Sequence, residues 1–347
     1  MNSSSEINKT FKEFTVSIMP DVFIDRFLKI ESLEKFTSEI YEKSKVGGGS
    51  IRGYRQRDII GGNAINFAKT IFKLGGNVNL FVIGNEFIKR ETESLFRSEK
   101  SNINIIEGRP GYTTALEIQN KNNKANIMFS DVGDLRKFNG DELDNEELEN
   151  IAESNASVIV NWSSINEGNK LIKKIFSNSK NANSVNFLDL ADPKSVTSRI
   201  PELITIIKKQ KIVDILSVNE NELRILSEHA GISNFPIDYK LSDIECNTLE
   251  LSKELGIQIE SHTPIGASTA SENEVYCCKA FEVNPNSLTG AGDIWNAANL
   301  LSMLAKFSRK DRIYFANACS ALYISNIDSE IPSIGKILEY IESKKTI

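Results

Sequence analysis

The chain has 347 residues, of which 40% are hydrophobic and 25% charged, and its net charge is −6. That length allows one large domain or two ordinary ones, and the acidic balance argues against a dedicated nucleic-acid binder, which would be basic. No stretch approaches the roughly 18 apolar residues of a membrane span, and the N-terminal MNSSSEINKTFKEFTV lacks the apolar core of a secretory signal. The cysteines, Cys246, Cys277, Cys278 and Cys319, show no C-x-x-C pair, so reduced thiols in a cytoplasmic protein are expected. With only His229 and His262 available, histidine metal sites and Ser-His-Asp chemistry are poor fits.

In chain order, FTVSIM (Phe14–Met19) reads as a strand. A polar, glycine-rich stretch follows through Gly47–Ile60. GGNAINFAKTIFKLGG then places Ala64, Ile65, Ala68, Ile71 and Phe72 at helical spacing, opened by Gly61-Gly62 and closed by Gly75-Gly76. NVNLFVIG is the next strand, and TTALEIQNKNNKANIMFS reads as a hairpin turning at Asn-Lys-Asn-Asn. Thereafter strands ASVIVNW, SVNFLDL, VDILSV and GIQIES alternate with helices near Gly168–Phe176, Ser198–Lys209, Glu220–His229 and Ser242–Leu255. A short hairpin around Gly266–Cys278 leads to a helical end, Gly292–Ala305, Lys310–Ser325 and Ser333–Lys344. This alternation predicts βαβ units: an α/β fold whose mostly parallel central sheet carries helices on both faces. The segments at about 28–60 and 105–130 break the rhythm and are expected to form a small second sheet over the first, inserted in a single domain spanning 1–347.

The stretch NSLTGAGDIWNAANLL holds the clearest chemistry. Ligands of open parallel sheets bind beyond the carboxyl ends of the strands, and a helix entered through glycines there offers free N–H groups and a positive dipole end. Gly290 and Gly292 let backbone amides approach a phosphate, since no Cβ intervenes. Asp293 in the same turn cannot bind phosphate, but it can take the proton of a hydroxyl that attacks one. A plain helix cap is the competing reading. Asn219 and Glu222, in NENE, share a face at another helix start; a capped helix explains that spacing equally well. A phosphate loop of the G-x-x-x-x-G-K-[ST] type and an early G-x-G-x-x-G are both absent.

Three motifs in order, GGNAINFAKTIFKLG, NENE and TGAGD, on this βα rhythm, resemble the PfkB (ribokinase-like) family of carbohydrate and nucleoside kinases over nearly the whole chain. FSDVGDLRKF, SVNENEL and LTGAGDIWNA look similar to its archaeal branches. The resemblance implies a three-layer sandwich with a β lid, and Mg²⁺-dependent transfer of a nucleotide's terminal phosphoryl group to a hydroxyl. It implies Asp293 as catalytic base and Gly290, Ala291 and Gly292 as the anion hole. Asn219 and Glu222 would order Mg²⁺ through water, a role that few carboxylates can fill. The acceptor would lie against Asp25, Gly61, Gly62, Asn63 and Asn66, with Asp21 the less fitting partner. The nucleotide would meet Asn219, Thr263, Gly266, Thr289 and Asn317. ATP is the expected donor, with ADP an alternative. The acceptor is a sugar, sugar phosphate, inositol or nucleoside, ribose 1-phosphate included. In many relatives the lid also joins two copies into a homodimer. A non-catalytic sugar or nucleotide sensor on the same fold is the reading of another class, and the presence of Asp293 argues against it.

The chain departs from the family pattern at several points. Ser287 and Leu288 stand where an Asp-Thr pair is usual, which weakens the expectation of potassium activation. Pro20 replaces a glycine, Phe23 an Asn that contacts sugar in ribokinases, and Asn63 a frequent Lys. Arg52, Arg55 and Arg57 fall on what reads as a strand and would share a face. With Arg109 and Arg136-Lys137 they would suit a phosphate on the acceptor, or simply make a solvated basic edge. His262 could stack on adenine or sit half-buried, and Trp295 reads as core.

Overall fold

The strand TVSIM is short and almost wholly buried because it lies inside a nine-stranded sheet. The protein is described here by a computed structural model, for residues 3–97, 101–119, 124–178, 184–232 and 235–345. Its strands are β1 (Thr15–Met19), β2 (Phe23–Ile30), β3 (Gln56–Gly61), β4 (Asn77–Gly84), β5 (Asn102–Glu107), β6 (Gly111–Gln119), β7 (Lys124–Asp131), β8 (Ala156–Ile159), β9 (Val185–Asp189), β10 (Ile215–Val218), β11 (Gln258–His262), β12 (Gly266–Ser271) and β13 (Glu274–Lys279). The large sheet runs β13-β12-β11-β10-β9-β8-β1-β4-β5. All its pairings are parallel except those of β12 with β11 and β13.

Helices cover both faces of this sheet, as a parallel sheet requires. One face packs Phe67, Phe187, Leu301 and Phe315 in a continuous core. The other packs Trp162, Leu171, Leu203 and Leu251. Chain order spreads outward in both directions from β1, so the crevice between the ends of β1 and β8 is the topological switch point, where ligands bind in such sheets. There Asn161 donates to buried Asp21 at 3.2 Å.

The small sheet runs β3-β2-β6-β7. Its β2–β6 pairing is parallel and the other two are antiparallel. It therefore begins at Phe23, earlier than expected, while residues 105–107 end β5 of the large sheet instead. The Asn-Lys-Asn-Asn turn of the expected hairpin lies outside the described residues. Between β2 and β3 stands a helix, Leu33–Lys45, with no buried residue. Its apolar residues Leu33, Phe36, Ile40 and Tyr41 do fall at helical spacing behind the N-cap Ser32, a signal that could have found it. The helix Ser4–Phe11 was likewise not anticipated.

Candidate active site

Two glycines seat two aspartates at the start of the helix Asn63–Lys73. Asp21 accepts the backbone N–H groups of Asn63 and Ala64, both at 2.8 Å, so this helix is capped from the end of β1 rather than by its own neighbour. Gly62, at φ +105°, is the N-cap; a Cβ there would meet Asp21 Oδ2 at 3.0 Å. A Cβ on Gly61 would lie 2.0 Å from Asp25 Oδ2. These glycines thus serve the close packing of both carboxylates against the helix start. Asp21 is fully buried and committed to amides, which leaves Asp25, half-buried on β2, as the more accessible carboxylate at this end. Burial lifts Asp25 to about 6, raised further by Asp21 and countered by a bond from Thr113 and by Lys69.

The helix is buried on most of its surface, and its half-exposed positions include Asn63, Asn66 and Lys69, which follow one another at i, i+3 spacing along one face. Lys69 Nζ donates to the Ile60 carbonyl at 2.6 Å, and burial lowers it to about 8. Asn66 donates to Asp293 Oδ2 at 3.0 Å. One helix therefore runs from beside Asp25 to the carboxylate of Asp293.

Asp293 sits in the first turn of the helix Ala291–Leu304, whose N-cap is Gly290 at φ +80°. It is only 7% exposed. Burial first, then the charge of Asp189, raises it well above the ordinary carboxylate range, and Asn66 opposes the shift. The Ala291 N–H turns back to the Leu288 carbonyl at 3.2 Å, so it does not serve as expected. The amides of Gly290, Gly292 and Asp293 have no backbone acceptor among the described residues. They form the anion-binding end of the helix.

Asn219 and Glu222 form the capping box that their spacing also allowed. Asn219 Oδ1 accepts the amides of Asn221 and Glu222, and both Glu222 oxygens accept from Asn219. Glu222 is buried, and burial followed by Asp189 raises it well above its usual range. Asp189, at the C-terminal end of β9, was not anticipated. It accepts from Asn296 at 2.9 Å, is itself lifted to about 6 by burial, and electrostatically couples Glu222 to Asp293. Its place at a strand's carboxyl end, in NFLDL, is the signal that could have found it. Asp189 and Glu222 are buried carboxylates with no cationic partner among the described residues, a donor set that with Asn219 fits a divalent cation held through water.

Beside this helix lies a cleft of about 900 Å³ lined in part by Asn219, Thr263, Phe281, Leu288, Trp295 and Asn317. Thr263 Oγ1 is tied into a turn with Gly266. Gly266 itself is buried behind Leu241 and the Cys278 carbonyl and does not line the cleft, nor does Thr289. Asn317 accepts from Trp295 Nε1 at 2.7 Å and donates to the Lys279 carbonyl, so it braces the wall. His262 packs on Trp295, with ring centroids 5.2 Å apart, and burial lowers it to about 4. Trp295 is core.

The arginines do not converge on the pocket. Arg52 and Arg55 precede β3, and only Arg57 lies on it, paired with Glu117. Arg109 pairs with Asp131 at 2.7 Å on the exposed rim.

A family model for pfkB family carbohydrate kinases matches residues 32–334. The chain belongs to that family of phosphotransferases, whose acceptor is an alcohol group. The match begins after Asp21 and Asp25, so those two rest on the structure. No curated protein matches the chain. Among solved structures, ribokinase of Arabidopsis thaliana complexed with ribose and ATP is 16% identical with a TM-score of 0.71, covering 95% of this chain and 99% of that one. Cryptococcus neoformans ribokinase in complex with ADP is 18% identical, TM-score 0.68, with coverages of 94% and 98%. Phosphofructokinase-2 from Escherichia coli, in complex with substrates and products, is 15% identical, TM-score 0.68, with coverages of 95% and 98%. At these identities the likeness is one of fold. These plant, fungal and bacterial structures lend no support to an archaeal branch. No helix among the described residues is long and apolar enough to cross a membrane.

Proposed function

We propose that the protein transfers the terminal phosphoryl group of a nucleotide, ATP before ADP, to a hydroxyl of a sugar or sugar phosphate, assisted by Mg²⁺. The observation that carries this reading is Asp293, buried beside free amides, with Asn66 donating to one carboxylate oxygen and Asn63 also hydrogen-bonding the group. Asp25 binds acceptor hydroxyls and turns one toward Asp293. Asp293 takes its proton as the new O–P bond forms and the bond from phosphorus to the leaving nucleotide breaks. The amides of Gly290 and Gly292 stabilise charge on the transferring group. A carboxyl group raised by burial is a stronger base once ionised, which suits this transfer. Asp189 and Glu222 would hold the cation through water, and the bound cation would offset charge on the nucleotide phosphates. The apolar wall of Phe281 and Leu288 suits a nucleotide base, and the solved ribokinase complexes with ATP and with ADP support a nucleotide as donor.

The small sheet acts as the lid, excluding water once the acceptor is bound, and its outer face is the contact of a homodimer. With Arg57 and Arg109 already paired to carboxylates, a neutral sugar is favoured over a sugar phosphate; nucleosides and ribose 1-phosphate are the alternatives. A coupled phosphoryl-transfer assay over Mg²⁺, ATP or ADP, and a panel of sugars, sugar phosphates and nucleosides tests the reading. Turnover that collapses in Asp293→Asn establishes it. Nucleotide binding without turnover for any pair would favour a sensor.

A further inference from the structure

The last turns of the helix Arg309–Ser325 are laced to the loop that leads into Asp293. The Ile324 carbonyl accepts the Asn286 and Ser287 amides at 2.7 and 3.4 Å, and the Ser325 carbonyl accepts from the Asn286 side chain at 2.7 Å. Two hydroxyls of the same helix reach further along. Tyr323 donates to the Thr289 carbonyl and Ser320 to the Ala291 carbonyl, each at 3.1 Å. They are three residues apart and so lie on one face.

A trans peptide is planar, and its C=O and N–H point in opposite directions. The carbonyl of Thr289 belongs to the same plane as the N–H of Gly290. The carbonyl of Ala291 belongs to the plane of the Gly292 N–H. Each hydroxyl thus holds the back of a peptide whose front is one of the free amides. The intervening plane is consumed internally: its N–H goes to Leu288, and its carbonyl accepts the Ile294 amide at 3.0 Å. Room for this is made at Gly290, where a Cβ would lie 3.1 Å from the Tyr323 hydroxyl. Tyr323 is 9% exposed.

We propose that Tyr323 and Ser320 are positioning residues that aim the Gly290 and Gly292 amides at the transferring phosphoryl group. This rests on the kinase reading, and a misaimed donor costs part of what a deleted one does, which is about 10²–10³ in kcat. Tyr323→Phe is the cleaner variant, because Ser320 also lines the nucleotide cleft. It should lower kcat about tenfold with KM for nucleotide and acceptor within about twofold, since free amides act on developing charge rather than on ground-state binding. Ser320→Ala should lower kcat less. Amide hydrogen exchange, which needs no turnover, should accelerate in the peptide 286–293 of Tyr323→Phe and, outside it, only around Ser329, which also bonds the Tyr323 hydroxyl. Tyr340→Phe removes another buried hydroxyl, one without a partner, and should alter neither readout. Unchanged exchange, or faster exchange with unchanged kcat, overturns the proposal, as does a rise in KM at constant kcat. If the wild type turns over no donor–acceptor pair, the kinase reading fails and the catalytic role with it; exchange alone then decides whether the hydroxyls hold the loop.

Discussion

The two sheets treat charge in opposite ways. On and beside the small sheet, Arg26–Asp58, Arg57–Glu117 and Arg109–Asp131 are ion pairs with both partners at least about a third exposed. Against the large sheet the Arg312–Glu260 pair is 3% and 0% exposed, with Thr269 donating to Glu260 and Asn299 accepting from Arg312. The unpaired carboxylates Asp189, Glu222 and Asp293 are also buried there. Exposed pairs add little and can be exchanged freely. Buried charges are fixed in place and hold whatever depends on them. On the function proposed above, phosphoryl transfer would draw on the second kind of group and acceptor choice would border the first, so substrate range could drift while the chemistry stays.

The sharpest break of this contrast is at Asp293. Asp293→Asn should lower kcat by about 10²–10⁴-fold while calorimetry finds nucleotide affinity nearly unchanged; near-normal turnover would remove the base from the mechanism. Next in size, Arg312→Met should leave Glu260 buried without its cation. A loss of about 3–5 kcal/mol in denaturant unfolding is expected, and a loss below about 1 kcal/mol would make the pair no different from those on the surface. Asp25→Asn tests the border between regions: kcat/KM for the acceptor should fall about 10²-fold with the nucleotide KM unmoved, and an equal effect on both substrates would deny it the acceptor pocket.

A fourth test uses pH. Asp189 is lifted to about 6, so the fold favours its protonated form. That stabilisation is full below its ordinary value near 3.8 and is lost as pH rises through about 6. Between about pH 4.5 and 7.5 the stability of Asp189→Asn relative to wild type should therefore shift in the variant's favour by about 1–3 kcal/mol. A difference that stays constant across thermal melts would sink the linkage. Smallest of all, Arg26→Ala should change stability by less than about 1 kcal/mol and turnover not at all.

How much of this the sequence carries depends on distance along the chain. TGAGD and GGN are legible because a glycine and its neighbour define a local backbone shape. The alternation of strands and helices is legible for the same reason, and it gives the layered sheet. Asp189 is legible only as an Asp at a strand's carboxyl end; its coupling to Asn296, Glu222 and Asp293 comes from residues far along the chain. The loss of the Ala291 amide to Leu288 is not legible, since it takes one turn's curvature to see. The arginines mislead because a run of like residues says nothing of the carboxylates, such as Glu117 and Asp131, that answer them across the sheet.

The bond from Asn66 to Asp293 joins residues 227 positions apart. During synthesis the acceptor half of the site leaves the ribosome long before its base does, and the helix that holds the anion hole from behind follows later still. On the reading proposed above, a nascent chain short of Asp293 has the first helix of the site and no base, so first turnover is a timer for the arrival of the C-terminal helices.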